Sequence, residues 1–176
     1  MPDLTIAPRS KVTLSHVEGD LEVERDAVIT AETDTVTVDG RVTTGGGVVF
    51  NGSLKASEVH ANDWDLDIRG DLTVSGDVRV SDASLHISGS LSAVSVDVDR
   101  HLEVGRNVAV ERLDVGSRAE IQGDLEGKSI DVGGSLQVHG SAKVEYIDAG
   151  GSVQVSGQVA CESIDVGGSV RVGGGK

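Results

Sequence analysis

The heptapeptide SIDVGGS occurs at residues 129–135 and again at residues 163–169. A near copy, YIDAGGS, lies midway between them at residues 146–152. The period is therefore about 17 residues, half the roughly 34 residues of a tetratricopeptide helix pair. The pattern of apolar residues inside one 17-residue unit therefore indicates the fold.

Each unit contains three pairs of apolar residues, and one residue separates the two members of a pair. Alternation with period two is typical of a β-strand, and Gly, Ser or Asp interrupts it between the pairs. Stacked units place equivalent strands in three parallel sheets around one apolar core. The sequence therefore predicts an all-β fold: a parallel β-helix, or β-solenoid, with three short strands per coil of about 17 residues and nine to ten coils. In the unit at residues 151–167 the pairs are Val153 with Val155, Val159 with Cys161, and Ile164 with Val166.

The repeat is less regular in the first half of the chain. Residues 34–45 supply two strands and lack a third, and residues 63–82 need two or three additional residues, near Asp77 and near Asp82. The expected organisation is an N-terminal tail at residues 1–10, a solenoid at residues 11–173 and a C-terminal tail at residues 174–176.

Composition restricts the partners. The net charge is −14, so nucleic acids and anionic lipid headgroups would be repelled, and we expect no nucleic-acid partner and no direct membrane binding. Asp outnumbers Glu and Arg outnumbers Lys, a balance we associate with halophilic proteins. No apolar run reaches the roughly 18 residues of a membrane span, and residues 1–11 do not resemble a signal peptide. We expect a cytoplasmic protein, which partners could hold at the inner face of the cell envelope.

Three motifs resemble functional sites but have a structural explanation. The stretch GDLEGKS at residues 123–129 lacks the glycine spacing of a phosphate-binding loop. In the stretch DWDLDIRGD at residues 63–71, Ile68 and Arg69 separate the third acid from the glycine that should follow it in a calcium loop, and the alternation places Trp64 in the core. Cys161 falls on an inward position and is expected to be an inert thiol. The five histidines share no frame position, so we predict no catalytic site, no metal centre and no cofactor.

One aspartate recurs at the same frame position in successive units. Each lies between two inward residues and so points to solvent, and stacking places neighbours about 5 Å apart. Two interpretations stay open, hydrogen bonding of the carboxylates to nearby backbone and loose cation binding along the row. Under both interpretations, salt should weaken the electrostatic repulsion between neighbouring carboxylates. These residues, the aspartate row, are Asp97, Asp114, Asp131, Asp148 and Asp165.

Short strands of the form G-[DS]-[LV]-x-V, at residues 70–74, 134–138 and 151–155, resemble those of bactofilins, the polymer-forming cytoskeletal proteins. The resemblance covers residues 10–176, and the acidic composition is similar to that of haloarchaeal members. It implies a right-handed, triangular β-helix that assembles end to end into filaments without nucleotide. It also implies a role in cell shape or in scaffolding other proteins. The implied partners are further copies of the same protein, which form the polymer, and a second bactofilin-like protein.

The family has no catalytic residues, and its polymer contacts lie in the terminal coils. Bactofilins usually carry longer tails, some with a membrane-binding segment, so attachment through a tail is not expected of this chain. The resemblance places the polymer interface at Val12, Leu14, Leu21 and Val23 at one end, and at Val153, Val155, Val170 and Val172 at the other.

Two alternative functions are weighed against a filament. A non-polymerising module of the same fold could bind and regulate a polymerising partner, with Trp64 as part of the contact. Hexapeptide-repeat acyltransferases and trimeric carbonic anhydrases also stack three strands per coil. Their coils are usually built from three equal hexads, with an added catalytic loop, and neither feature is present here.

Overall fold

The computed structural model describes residues 4–173 and shows, over that range, strands and turns without a helix. The strands are short because each apolar pair is followed within a few residues by a corner. The first thirteen are β1 (Leu4–Ile6), β2 (Lys11–Leu14), β3 (His16–Val17), β4 (Leu21–Val23), β5 (Val28–Val38), β6 (Arg41–Thr44), β7 (Val49–Ala56), β8 (Glu58–Asn62), β9 (Leu66–Ile68), β10 (Leu72–Val74), β11 (Asp77–Ser81), β12 (Leu85–Ile87) and β13 (Leu91–Val98). They are followed by β14 (His101–Val104), β15 (Val108–Val115), β16 (Arg118–Ile121), β17 (Leu125–Glu126), β18 (Ser129–Val132), β19 (Ser135–Val138), β20 (Ala142–Lys143), β21 (Tyr146–Ala149), β22 (Ser152–Val155), β23 (Val159–Ala160), β24 (Ser163–Val166) and β25 (Ser169–Val172).

All strand pairs are parallel and fall into three stacks, which we name faces A, B and C in the order in which the chain visits them. Strands β5, β7, β13 and β15 continue around a corner and so contribute to two faces. Face A runs from β1 through β4, β6, β8, β11, β13, β15, β18 and β21 to β24. Face B runs from β2 through β5, β7, β9, β12, β14, β16, β19 and β22 to β25. Face C runs from β3 through β5, β7, β10, β13, β15, β17 and β20 to β23.

The predicted β-solenoid is confirmed, with about ten coils. Within residues 4–173, faces A and B each hold ten strands and face C holds nine. The N-terminal boundary differs from the prediction, because Leu4–Ile6 already pairs in register with Leu21–Val23. Stacking therefore begins before residue 11, inside the expected tail. The expected C-terminal tail, residues 174–176, lies outside the described residues.

Columns of aliphatic side chains fill the interior, as the alternation requires. In SIDVGGS, Ile130 and Val132 are buried and Asp131 between them is exposed. Phe50 is also fully buried, in line with Ile29 and Ile68 of the adjacent coils.

The predicted core position of Trp64 is wrong, because 68% of this side chain is exposed. Asp63 has a left-handed backbone (φ 72°), so the chain turns there and the strand starts only at Leu66. The indole instead covers Gly46, where a Cβ would collide with it.

The coils are irregular in the first half and regular in the second. From Val96 onward the interval between in-register partners is constant, as in the column Val96, Leu113, Ile130 and Ile147. The coil that leads from Leu21 to its partner Val42 is longer than this regular interval. Most of that excess is a bulge, in which residues 31–34 oppose Gly52 alone.

Three further corners each hold one more residue than their regular counterparts: one lies near Asp77, and the other two lie at Asp63 and Asp82. Both residues have positive φ, 72° and 56°, which lets the chain turn with the added residue. The extra residues predicted near Asp77 and Asp82 are confirmed, and the one at Asp63 was not foreseen.

The corner between faces B and C is held by side chains that reach the next coil. Asp71 accepts a hydrogen bond from the Ser90 N–H (2.7 Å), and Asp124 accepts one from the Ser141 N–H (2.8 Å). The residue before each donor is glycine, and a Cβ on Gly89 or Gly140 would overlap the accepting carboxylate. This explains why Gly-Asp and Gly-Ser pairs recur at the corner. The glycine leaves room for the carboxylate of the preceding coil, and the next residue donates its N–H to that carboxylate.

Candidate functional site

The C-terminal end of the solenoid exposes the apolar columns of its core. Val153 and Val155 of β22 are buried, whereas the residues stacked on them, Val170 and Val172, are 48% and 45% exposed. Ile164 of β24 is half-buried, although its neighbour Ile147 is fully covered. Each column therefore continues to the last coil, and no other residue of the described range 4–173 covers it there.

The N-terminal end is covered more completely. Val12 and Leu14 of β2 are half-buried, and Leu4 of β1 is 36% exposed. Ile6 and Val17, in contrast, are buried although they belong to the first coil.

The structure divides the eight predicted interface residues into two groups. Val12, Leu14, Val170 and Val172 lie in the terminal coils and are accessible. Leu21 and Val23 lie beneath β1, and Val153 and Val155 lie beneath β25, so the prediction that these four side chains form an end surface is wrong.

Sequence reasoning missed Leu4 and Ile6 at the N-terminal end. Leu4 and Ile6 lie one regular coil before Leu21 and Val23 and show the same alternation. This spacing is the sequence signal that could have identified them. At the C-terminal end the predicted interface includes one coil too many, because Val153 and Val155 are buried beneath β25.

The terminal strands also carry free backbone edges. Within residues 4–173, β24 pairs only with β21 and β25 only with β22, so one edge of each faces outward. Natural proteins block such edges with lysines, prolines or bulges. Neither β24 (SIDV) nor β25 (SVRV) has any of these, and each contains one charged residue, Asp165 or Arg171.

The aspartate row is present on face A as predicted. Its five members are in register and exposed, and the column continues on one side with Arg79. Partial burial raises the pKa of Asp114, and the charges of Asp97, Asp131 and Asp99 raise it further.

The row has no chelating geometry. Among residues 4–173 no group of three or more His, Cys, Asp or Glu side chains is arranged to hold a metal ion. Loose cation binding along the row stays a prediction.

Several histidines pair with single carboxylates on the outer surface. His16 lies 2.9 Å from Asp39 and His86 lies 3.0 Å from Glu103. Burial, and after it the Arg41 guanidinium, lowers the pKa of His60.

The stretch at residues 123–129 follows the structural explanation, whereas the inertness of the Cys161 thiol stays a prediction. Residues 123–129 form β17, a corner and the start of β18, so no helix N-terminus is available for a phosphate. Cys161 packs against the core from a half-buried position, on the inward side as predicted.

Comparison with protein-family models, with curated proteins and with solved structures finds no match to this chain. Within the described residues no helix is long and apolar enough to cross a membrane.

Proposed function

We propose that the protein is a cytoskeletal structural protein that assembles end to end, without nucleotide, into filaments that shape the cell or scaffold other proteins. The observation that carries the proposal is the open C-terminal end, where Val170 and Val172 continue buried columns into solvent. An uncovered strand edge is a template for another strand, and contacts that do not close on themselves generate a filament. The proposal assigns the protein no catalytic activity and a cytoplasmic location.

The resemblance of the Gly-[Asp/Ser]-[Leu/Val]-x-Val strands to those of bactofilins supports the same function. The net charge of −14 adds a condition, since approaching ends repel one another in dilute buffer. At about 1 M salt the screening length falls to about 3 Å, so assembly should be favoured in concentrated KCl.

Electron microscopy and sedimentation of the purified protein, in dilute and in molar KCl, test the proposal. We expect filaments for the unchanged protein and their loss in the double variant Val170→Lys, Val172→Lys. The matched control is Gln137→Lys, Gln154→Lys, which adds the same charges on the outer surface of face B. Thermal melting establishes that both variants are folded.

Filaments that survive the valine changes would show that the C-terminal end is not the contact. An unchanged protein that stays monomeric at every concentration and salt level would overturn the proposal. It would favour the alternative of a regulatory module that binds a polymerising partner.

A further inference from the structure

A surface groove of about 510 Å³ runs along the corner between faces C and A, on the side of the solenoid. Its floor is one stacked column, Val110, Gly127, Val144 and Cys161. Three coil spacings separate the first and last of these residues, so the groove is about 14 Å long. This volume lies within the range of ligand sites, roughly 300–1,000 Å³.

Gly127 marks a point in the floor at which two coils approach each other closely. The column above and below it carries the side chains of Val110 and Val144, which are almost fully buried. Gly127 has no side chain, and a Cβ there would come within 2.7 Å of the Val110 carbonyl oxygen. The same Cβ would lie 3.2 Å from Ile130 Cδ1, so core atoms already occupy that space and the close stacking of these coils requires glycine.

The rim facing face A is acidic and incompletely paired. It is formed by Glu111, Lys128, Glu145 and Glu162 in successive coils. Lys128 forms an ion pair with Glu111 (3.3 Å). In the part of the chain that the structure describes, Glu145 and Glu162 have no basic side chain within 4.0 Å. Two adjacent carboxylates without an ion-pair partner among the described residues thus stand beside the floor, and Lys143 lines the rim facing face C.

We propose that this groove binds a short extended segment of a partner protein with alternating basic and apolar residues. An apolar side chain would pack on the floor beside Gly127, and a lysine or arginine would pair with Glu145 and Glu162. The groove is open to solvent along its length and accommodates about four residues of extended chain, at about 3.3 Å per residue. Cys161 and Glu162 directly follow β23, the last strand of face C, so the test below is made at low ionic strength, where end-to-end assembly is disfavoured.

The single cysteine of the chain provides a direct readout, because Cys161 lies in the groove. The probe is the blocked peptide Lys-Val-Lys-Val-Lys, and the measurement is the rate at which N-ethylmaleimide, an uncharged reagent, alkylates Cys161 in the full-length protein at low ionic strength. We expect the peptide to slow alkylation in a saturable way. The peptide Lys-Ser-Lys-Ser-Lys has the same charge without the apolar groups and should give little protection.

The charge is tested with Glu145→Gln, Glu162→Gln, which should raise the half-protecting peptide concentration roughly three- to tenfold, the effect of losing two exposed ion pairs. The matched control is Asp148→Asn, Asp165→Asn, which removes equal charge from the same two coils but on face A. This control should bind the peptide like the unchanged protein.

Three results would overturn the proposal. Cys161 could fail to react in the free protein, which would mean that the groove is closed. The valine and serine peptides could protect equally. The two double variants could weaken protection to the same extent, which would reduce the effect to general attraction between a basic peptide and an acidic protein.

Discussion

At the scale of single residues, the corner between faces B and C shows why short polar residues recur after glycine. Asp124 joins three coils, since its N–H donates to Asn107 Oδ1 (2.9 Å) and its carboxylate accepts from the Ser141 N–H (2.8 Å). The side chain thereby satisfies a backbone donor at a position where the chain leaves one sheet for the next. An unsatisfied backbone donor is more costly than the average hydrogen bond is favourable.

Replacing this acceptor should destabilise the solenoid by a measurable amount. We expect Asp124→Ala to lower the free energy of unfolding by about 1 kcal/mol, which corresponds to a fall in Tm of about 2–4 °C for a chain of this size. Asp124→Asn keeps an accepting oxygen and should melt close to the unchanged protein. Equal melting of the Ala and Asn variants would show that the hydrogen bond contributes nothing.

The aspartate row should make stability depend on pH through Asp114. Its pKa is raised in the folded protein, by partial burial and by Asp97, Asp131 and Asp99, so the native state holds this proton more firmly than the unfolded chain does. The associated stability is present below the ordinary Asp pKa of about 3.9 and is lost as the pH rises through the folded pKa. At neutral pH the ionised Asp114 therefore destabilises the fold.

Asp114→Asn should accordingly raise Tm at neutral pH in dilute salt. The gain should vanish below about pH 3.9, where the carboxyl is protonated. Its Coulomb part should also shrink in molar KCl. Asp34→Asn removes equal charge from an exposed position in the bulge and serves as the control in thermal melts. A Tm at neutral pH that is unchanged or lower in Asp114→Asn would contradict this account.

At the scale of elements, the bulge in β5 shows which insertions the solenoid accepts. Thr30 pairs with Asn51 and Thr35 with Ser53, so the strand resumes its register after residues 31–34. Glu32, Thr33 and Asp34 are exposed, and no buried column passes through them. The insertion therefore costs the core little.

Removing Glu32–Asp34 should leave a folded protein. One residue then opposes Gly52, whose φ of 132° is unfavourable for side chains, so Ala31→Gly accompanies the deletion. We expect parallel β-structure by circular dichroism and a Tm within a few degrees of the unchanged protein. Deleting Arg118–Glu120 also removes three residues, but from within β16, where Ala119 is buried, and should abolish cooperative melting. Similar losses in both deletions would refute the distinction between corner and strand.

The elements also show what could be predicted from the sequence. The strands could be predicted from pairs of apolar residues such as Ile130 and Val132. Two independent patterns, the alternation within a strand and the 17-residue repeat, place the strands at the same positions there. The orientation of Trp64 could not be predicted, since the alternation in DWDLDIRGD continues unbroken and the left-handed turn at Asp63 has no local signal stronger than Asp itself. An alternation of apolar residues that continues through a corner does not reveal that corner.

At the scale of the whole molecule, the number of coils followed from the sequence more reliably than the position of the ends. Interior coils share one repeating pattern, so each coil supports the assignment of the coil beside it. A terminal coil has a neighbour on one side only, so the pattern does not show where the solenoid ends. Leu4–Ile6 adds one strand beyond the predicted start, and this buries Leu21 and Val23. The groove along Gly127 was not predicted either, because its lining comes from four successive coils and no single stretch of sequence contains it.

The change from irregular to regular coils affects how the chain finds its register while folding. In the second half, β18 and β24 have the same sequence and the same spacing to the following strand, so either could stack on β15 with little difference in contacts. A slip of two coils there would loop out a segment and still bury valines and isoleucines. The long coil between Leu21 and Val42 and the corners at Asp63 and Asp82 permit no such exchange, because each fits a single neighbour. Folding that starts in the irregular half would propagate one register into a half whose own sequence permits several.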